Sequence, residues 1–229
     1  MEDRNMRNTL VCVLALVICA CSSNQTGEFN QSGVWFIGDY SKFEKVKTND
    51  GLKSFRYASD NLRSGAYQKV IIESVAFYPE EVVSAQITSA LLGQTKAYID
   101  EEFIDAIAQS FEVVESPQQG TFTLTPRITA LKTTTGDIAL REIIPIGAVV
   151  ALGRAAAGQR HQNVEIFMEI KLTDSLTGEF IGGSVKQGKG QEISGSNQRV
   201  KIEDIKSILD TWVKDVKETF EKMSALTTD

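Results

Sequence analysis

The chain has 229 residues, 24 Lys and Arg against 30 Asp and Glu, and a formal net charge of −6. That acidic balance, with no basic cluster, argues against a nucleic-acid partner. All three cysteines lie in the first 21 residues, so the remainder carries no disulfide, thiol nucleophile or cysteine-rich metal site, and its fold must rest on an ordinary apolar core.

The front of the chain reads as an address. Arg4 and Arg7 precede an uncharged apolar run from Leu10 to Ala20, and Cys21 follows the small Ala20. This arrangement resembles a bacterial lipoprotein signal, in which the cysteine takes a lipid and the chain is cut just before it. The run is too short for a membrane-spanning helix, which needs about 20 apolar residues. A plain secretory signal cut after Ala20 is the rival reading, and Cys19 departs from the usual lipoprotein pattern. On the lipoprotein reading residues 1–20 are a signal peptide. Cys21 carries the acyl chains, and two or more of these hold a protein stably at a membrane. Ser22 in place of Asp then favours the outer membrane, facing the periplasm. Ser22 to Gly33 is polar and small, cannot fold alone, and reads as a tether reaching at most roughly 40 Å. Residues 34–229 are expected to form a single periplasmic domain.

Val34 to Tyr67 holds many aromatics without a helical or strand period and reads as an irregular segment wrapped over the core, with exposed aromatics for ligand stacking as the alternative. Lys69 to Val75 is β-branched and apolar, and predicts a central strand ended by the Tyr78-Pro79 turn. A helix follows, its surest part Thr95 to Phe111, with Ile99, Phe103, Ile104, Ile107, Ala108 and Phe111 on its apolar face. Glu112 to Val114 is a short strand. Phe122 to Leu131 alternates, placing Phe122, Leu124, Pro126, Ile128 and Ala130 on one side, and Pro126 points to an edge or a bulge. Val164 to Leu172 is the cleanest strand: Val164, Ile166, Met168, Ile170 and Leu172 face one way, Glu165, Glu169 and Lys171 the other. Thr173 to Glu179 is a turn, and Phe180 to Lys186 returns as a hairpin partner, where Gly182-Gly183 suggests a bulge or a close backbone contact. Ile202 to Met223 predicts a strong amphipathic helix. The expected fold class is therefore α+β, a mixed β-sheet with helices packed mainly on one face.

Glu142 to Arg160 stands apart: it is uncharged from Ile143 to Gly153 and rich in Gly and Ala. Two readings follow. It is a helix buried against the sheet, or it is a partner or membrane contact presenting Ile143, Ile146, Val149 and Leu152. A phosphate loop is excluded, because Arg154 and Ala155 follow Gly153 where Lys and Ser or Thr are required.

Catalytic chemistry finds no purchase. The single histidine, His161, sits in a polar loop string, and no Gly-x-Ser-x-Gly elbow exists; Gly195-Ser196-Asn197 is a loop before a helix. The carboxylate pairs Glu80/Glu81, Asp100/Glu101/Glu102 and Glu203/Asp204 fall in polar helical turns or helix starts, where acids complement the dipole. No catalytic residue, metal site or cofactor is expected.

Several strings together resemble an uncharacterised bacterial lipoprotein family, domain of unknown function 3313. They are Phe36-Ile37-Gly38-Asp39-Tyr40-Ser41, Leu52 with Phe55-Arg56-Tyr57, Tyr67 to Ile72 with Phe77-Tyr78-Pro79, and Leu172 to Glu179. The likeness runs from about Trp35 to Phe220 and implies no reaction or cofactor. Asp39 and Tyr40 form either a site or a turn with an aromatic anchor, the latter preferred on turn chemistry. The element order also resembles the periplasmic α/β domains of envelope lipoproteins. The expected role is non-catalytic binding or assembly at the cell envelope. The partners are the membrane, through the lipidated N-terminus, and an envelope protein or a second copy; nucleic acid is not among them. A lipid- or glycan-binding lipoprotein is the alternative, and a hydrolase the remote one.

Overall fold

The computed structural model describes residues 36–47, 53–134, 161–195 and 197–226. Among these, eight strands form one mixed sheet accompanied by three helices. In chain order they are β1 (Glu44–Lys47), β2 (Lys53–Ala58), α1 (Asp60–Arg63), β3 (Lys69–Ile72), β4 (Ala76–Phe77), α2 (Ser89–Ala108), β5 (Glu112–Val113), β6 (Thr121–Thr134), β7 (Gln162–Asp174), β8 (Phe180–Ile193) and α3 (Ile202–Ala225). Across the sheet the order is β1-β2-β8-β7-β6-β3-β5, with β4 beside β6. The β1 to β6 side is antiparallel throughout, whereas β3 and β4 run parallel to β6 and β5 parallel to β3. This is the α+β architecture the alternation and helix periods imply.

Helices α2 and α3 share one face of the sheet. Leu91, Leu92, Ile99, Phe103 and Ile107 of α2 meet Ile205, Ile208, Leu209, Trp212, Val216 and Phe220 of α3 in the main core. From the sheet come Val70, Phe122, Leu124, Ile128 and the even-numbered apolar row of β7 from Val164 to Leu172. Phe111, Phe122 and Phe220 interlock with ring centroids 5.4–5.9 Å apart. Each fully buried ring of this kind contributes roughly 2 kcal/mol from removal of apolar area alone. The Thr88 hydroxyl accepts from the Leu91 N–H (3.2 Å) to start α2, and the Asp204 carboxylate accepts from the Lys201 N–H (2.8 Å) to start α3.

The long strand β8 explains how close α3 lies. Gly182, Ser184, Gly188 and Gly190 are on the helix side of β8, and a methyl group added at Gly190 would sit 2.4 Å from the backbone oxygen of Asp204. At Gly188 it would sit 2.1 Å from the Ile208 methyl. Both expectations for Gly182-Gly183 hold. The register slips between Leu172 and Thr173, leaving Ile181 as the extra residue, and Cβ atoms at 182 and 183 would meet Tyr57 and Ile170 carbonyl oxygens at 2.9 and 2.8 Å.

Four expectations are corrected. The Val34–Tyr67 segment is not irregular throughout: β1, β2 and α1 lie within it, and only residues 36–43 wrap over the sheet. Ala130 does not share a side with Ile128, because a bulge between them turns it to the opposite face. Pro126 is on neither an edge strand nor the bulge itself. It lies in interior β6, opposite the gap where β3 pairing ends at Leu124 and β4 pairing begins at Arg127, so a missing N–H there breaks no ladder on that side. The apolar face of α2 also differs: the helix runs from Ser89 and ends at Ala108, before Phe111, and Ile104 and Ala108 are exposed while Ala106 is buried.

Candidate ligand-binding cleft

The sheet face beneath α3 is not filled to its end. The helix is pressed on β8 near its start, at Asp204 and Ile208, but towards its C-terminal half a cleft of about 280 Å³ opens between α3 and the β1-β2-β8 edge. Leu62, Ile170, Leu172, Val216, Phe220 and Met223 line its apolar wall. Their positions follow from the strand and helix periods. Even-numbered β7 residues face the helices, and Val216, Phe220 and Met223 recur every three or four residues along α3. Leu62 is held by the short α1, whose Ser59 cap accepts from the Leu62 N–H at 3.3 Å.

The polar residues of the cleft are mostly ionic. Arg56 on β2 and Lys186 on β8 are neighbouring helix-side positions, and both reach Asp215 on α3. The Arg56 guanidinium grips both carboxylate oxygens from one nitrogen at 2.5 and 2.6 Å and gives its other terminal nitrogen to the Thr219 hydroxyl at 3.2 Å. Lys186 Nζ donates to the same carboxylate and is itself buried. Burial lowers the Arg56 pKa, though a guanidinium stays charged at any physiological pH. Arg63 and Glu44, both exposed, also line the cleft, as do Tyr57 and Ser184. Arg56, Lys186 and Arg63, set against Glu44 and the Asp215 carboxylate that Arg56 and Lys186 share, leave the charged groups of the cleft with one positive charge in excess among the described residues, in a chain that is acidic overall.

The opposite face of the sheet carries a second polar cluster, and it is closed. Residues 36–43 lie across it, with Tyr40 and Phe43 packed on Phe55, Phe167 and Val185. Beneath them is Glu169, 0% exposed, which accepts from the Tyr40 hydroxyl (2.5 Å) and the Ile37 N–H (3.0 Å). Burial raises the Glu169 pKa above the ordinary carboxylate value, and the bonds from Tyr40 and the Ile37 backbone pull it partly back. Burial, then the Glu169 charge, pushes the Tyr40 phenol up. Nearby, Lys132 pairs with Glu165 at 3.9 Å and lies over the Phe167 ring, its pKa lowered by burial. Tyr40 and Glu169 fasten the segment down.

Cys21, Ile143, Ile146, Val149 and Leu152 lie outside the described residues. Asp39 takes the turn role, accepting from the Ser41 N–H at 2.9 Å, and Tyr40 is the buried anchor. His161 is exposed just before β7. Asp100 accepts from the Val75 N–H at 2.6 Å, and Glu81 meets Lys96 at 3.5 Å. No three His, Cys, Asp or Glu side chains among the described residues are grouped to hold a metal. No described helix is long and apolar enough to cross a membrane.

Sequence reasoning missed Arg56, Lys186 and Asp215. A signal existed for two of them. Lys186 shares parity with Gly182, Ser184 and Gly188, and Asp215 falls between Trp212 and Val216 at the margin of the apolar stripe. Glu169 had no such signal, because alternation alone assigns it to the face away from the helices without saying that this face is covered.

The family model described as Protein of unknown function (DUF3313) matches residues 31–216. The chain belongs to the DUF3313 family. This family member is 24% identical over 200 residues to the uncharacterized lipoprotein YdcL of Escherichia coli (strain K12), covering 87% of this chain and 89% of that protein. The YdcL of Escherichia coli O157:H7 matches to the same extent. Among solved structures, the PelC dodecamer from Paraburkholderia phytofirmans is 12% identical with a TM-score of 0.36, covering 75% of this chain and 96% of that one. The hypothetical protein CT253 from Chlamydia trachomatis is 11% identical with a TM-score of 0.41, covering 69% and 98% respectively. The DUF3313 chain is thus only distantly similar to either.

Proposed function

We propose that the chain is a lipoprotein anchored through Cys21 to the outer membrane, facing the periplasm, and that its domain has a non-catalytic binding role exercised through the α3/β2 cleft. One observation carries the binding part: a cavity of about 280 Å³ with a mainly apolar wall and three cationic side chains, Arg56, Arg63 and Lys186, in its lining. Apolar concavities with a few placed polar groups are the usual form of small-ligand sites. The anchor rests on the basic, apolar and Ala20-Cys21 order at the front of the chain, and is in keeping with the lipoprotein name of the E. coli relative. The assembly part of the role, with an envelope protein or a second copy as partner, would fall to Ile143, Ile146, Val149 and Leu152.

Native mass spectrometry of protein purified from its own host tests the cleft. Wild type should carry a small molecule that a Val216→Trp form, its cleft filled, has lost. A ligand retained by the variant, or absent from repeated wild-type preparations, would sink the reading. Metabolic palmitate labelling tests the anchor: the native protein should incorporate label and Cys21→Ala should not.

A further inference from the structure

Resting on the reading of the cleft as a binding site, we propose that its occupant is a free medium-chain fatty acid anion, its single acyl chain along the apolar wall and its carboxylate at Arg56 and Arg63. Three observations converge on this class. The first is size. A protein cavity of about 150 Å³ holds benzene, six carbon atoms. A cavity of 280 Å³ therefore holds on the order of ten non-hydrogen atoms, which admits one medium chain and excludes a two-chain phospholipid.

The second is the lining. Leu62, Ile170, Leu172, Val216, Phe220 and Met223 offer no hydrogen-bonding side-chain group, and of the three hydroxyl residues in the lining, Tyr57, Ser184 and Thr219, the last already serves Arg56 and the Asp215 carbonyl, so a sugar would lose most of its hydration along that wall without replacement. An alkyl chain loses nothing, and Met223 can adapt to its bends. The third is charge. Arg56 and Lys186 converge on the single carboxylate of Asp215, and Arg63 lines the same opening. A cationic amphiphile would be repelled. Arg56 has five N–H donors; its three bonds, two from one terminal nitrogen to Asp215 and one from the other to Thr219, fix the orientation of the guanidinium and leave two donors, the Nε–H and a second Nη1 hydrogen, for an incoming carboxylate. Glu44, paired across strands with Arg56, sets the limit: it is exposed at the rim and disfavours a second negative charge, as on a phosphate monoester.

The test uses the full chain in lipid nanodiscs. Photoreactive diazirine analogues of decanoate, decanol and decylamine are irradiated with it, the labelled peptides are mapped, and unlabelled decanoate or a lysophosphatidic acid is added as competitor. The decanoate analogue should label the α3 segment from Val216 to Met223 and the Leu62 segment at least tenfold more strongly than decanol or decylamine. Arg56→Gln should weaken decanoate competition about tenfold or more. Arg63→Gln, an exposed change that leaves the fold alone, should weaken it roughly two- to fivefold. Val216→Trp should abolish labelling.

Equal labelling by decanol, or decanoate competition unmoved in Arg63→Gln and in folded Arg56→Gln, would overturn the fatty-acid anion while leaving the cleft as a site. Lysophosphatidic acid competing better than decanoate would also overturn it, in favour of a lipid headgroup. Labelling of the cleft by no probe, with Val216→Trp identical to wild type, would overturn both readings.

Discussion

The Tyr40–Glu169 contact makes the sharpest energetic prediction. Removing the Tyr40 hydroxyl in Tyr40→Phe leaves the ring and its packing on Phe43 but takes a 2.5 Å hydrogen bond from a fully buried carboxylate. A hydrogen bond to a charged group is worth about 1.5–3 kcal/mol. For a domain of this size each kcal/mol moves the melting temperature by roughly 2–4 °C, so the variant should melt about 3–12 °C lower at neutral pH. The sign with pH follows from the Glu169 shift. Its folded pKa is raised, so burial of the charge opposes folding above that pKa and this cost disappears as pH falls towards the unfolded carboxylate value. Once Glu169 is protonated, Tyr40 faces a neutral acid and its bond is worth only about 0.5–1.5 kcal/mol. The deficit of Tyr40→Phe should therefore shrink on acidification. Circular-dichroism melts of both proteins across the acid range give this as a difference, in which other titrating groups cancel. A Glu169→Gln background should show the small deficit at every pH. A deficit that is constant or grows as pH falls would refute the argument.

Other consequences are as direct. Gly190→Ala should destabilise by about 1–3 kcal/mol, since the added methyl meets the fixed Asp204 carbonyl, and by more than Gly188→Ala, where the obstacle is the Ile208 side chain; urea midpoints of the pair decide the order. Asp215→Asn should cost more than Lys186→Met. The first leaves two cations facing a neutral amide, whereas the second leaves the Arg56–Asp215 pair intact, and chemical denaturation at neutral pH reads both. Asp100→Ala should cost about 1 kcal/mol or more by orphaning the Val75 N–H, with Asp100→Asn retaining most of the stability in the same melts.

How far the fold could be read in advance depended on whether one face of an element was dry and the other wet. β7 and α3 obey that rule, and their apolar rows emerged intact. β2 does not. Phe55 and Tyr57 lie under the segment 36–43 while Ser54, Arg56 and Ala58 face the helix side, so neither row is plainly solvent and no period stands out. The bulge after Ile128 defeated the reading of Ala130, since one inserted residue reverses every later side chain. The candidate site was less legible still. Asp215 is brought to Arg56 and Lys186 only when α3 crosses β8 and β2, and the residues that bring it there are glycines, whose role is the volume they leave empty.

The glycine row on β8 has an outcome for the cleft itself. At Gly190 the strand meets the Asp204 backbone of the helix and at Gly188 it meets the Ile208 side chain, so the near end of α3 works as a fixed pivot. The far end is propped by the Phe111–Phe122–Phe220 wedge. The gap between helix and β1-β2 edge is then an angle, set by one rigid pin and one aromatic spacer. Trimming or enlarging the spacer would tilt the rod and resize the opening without altering a single residue that a guest molecule touches, apart from Phe220.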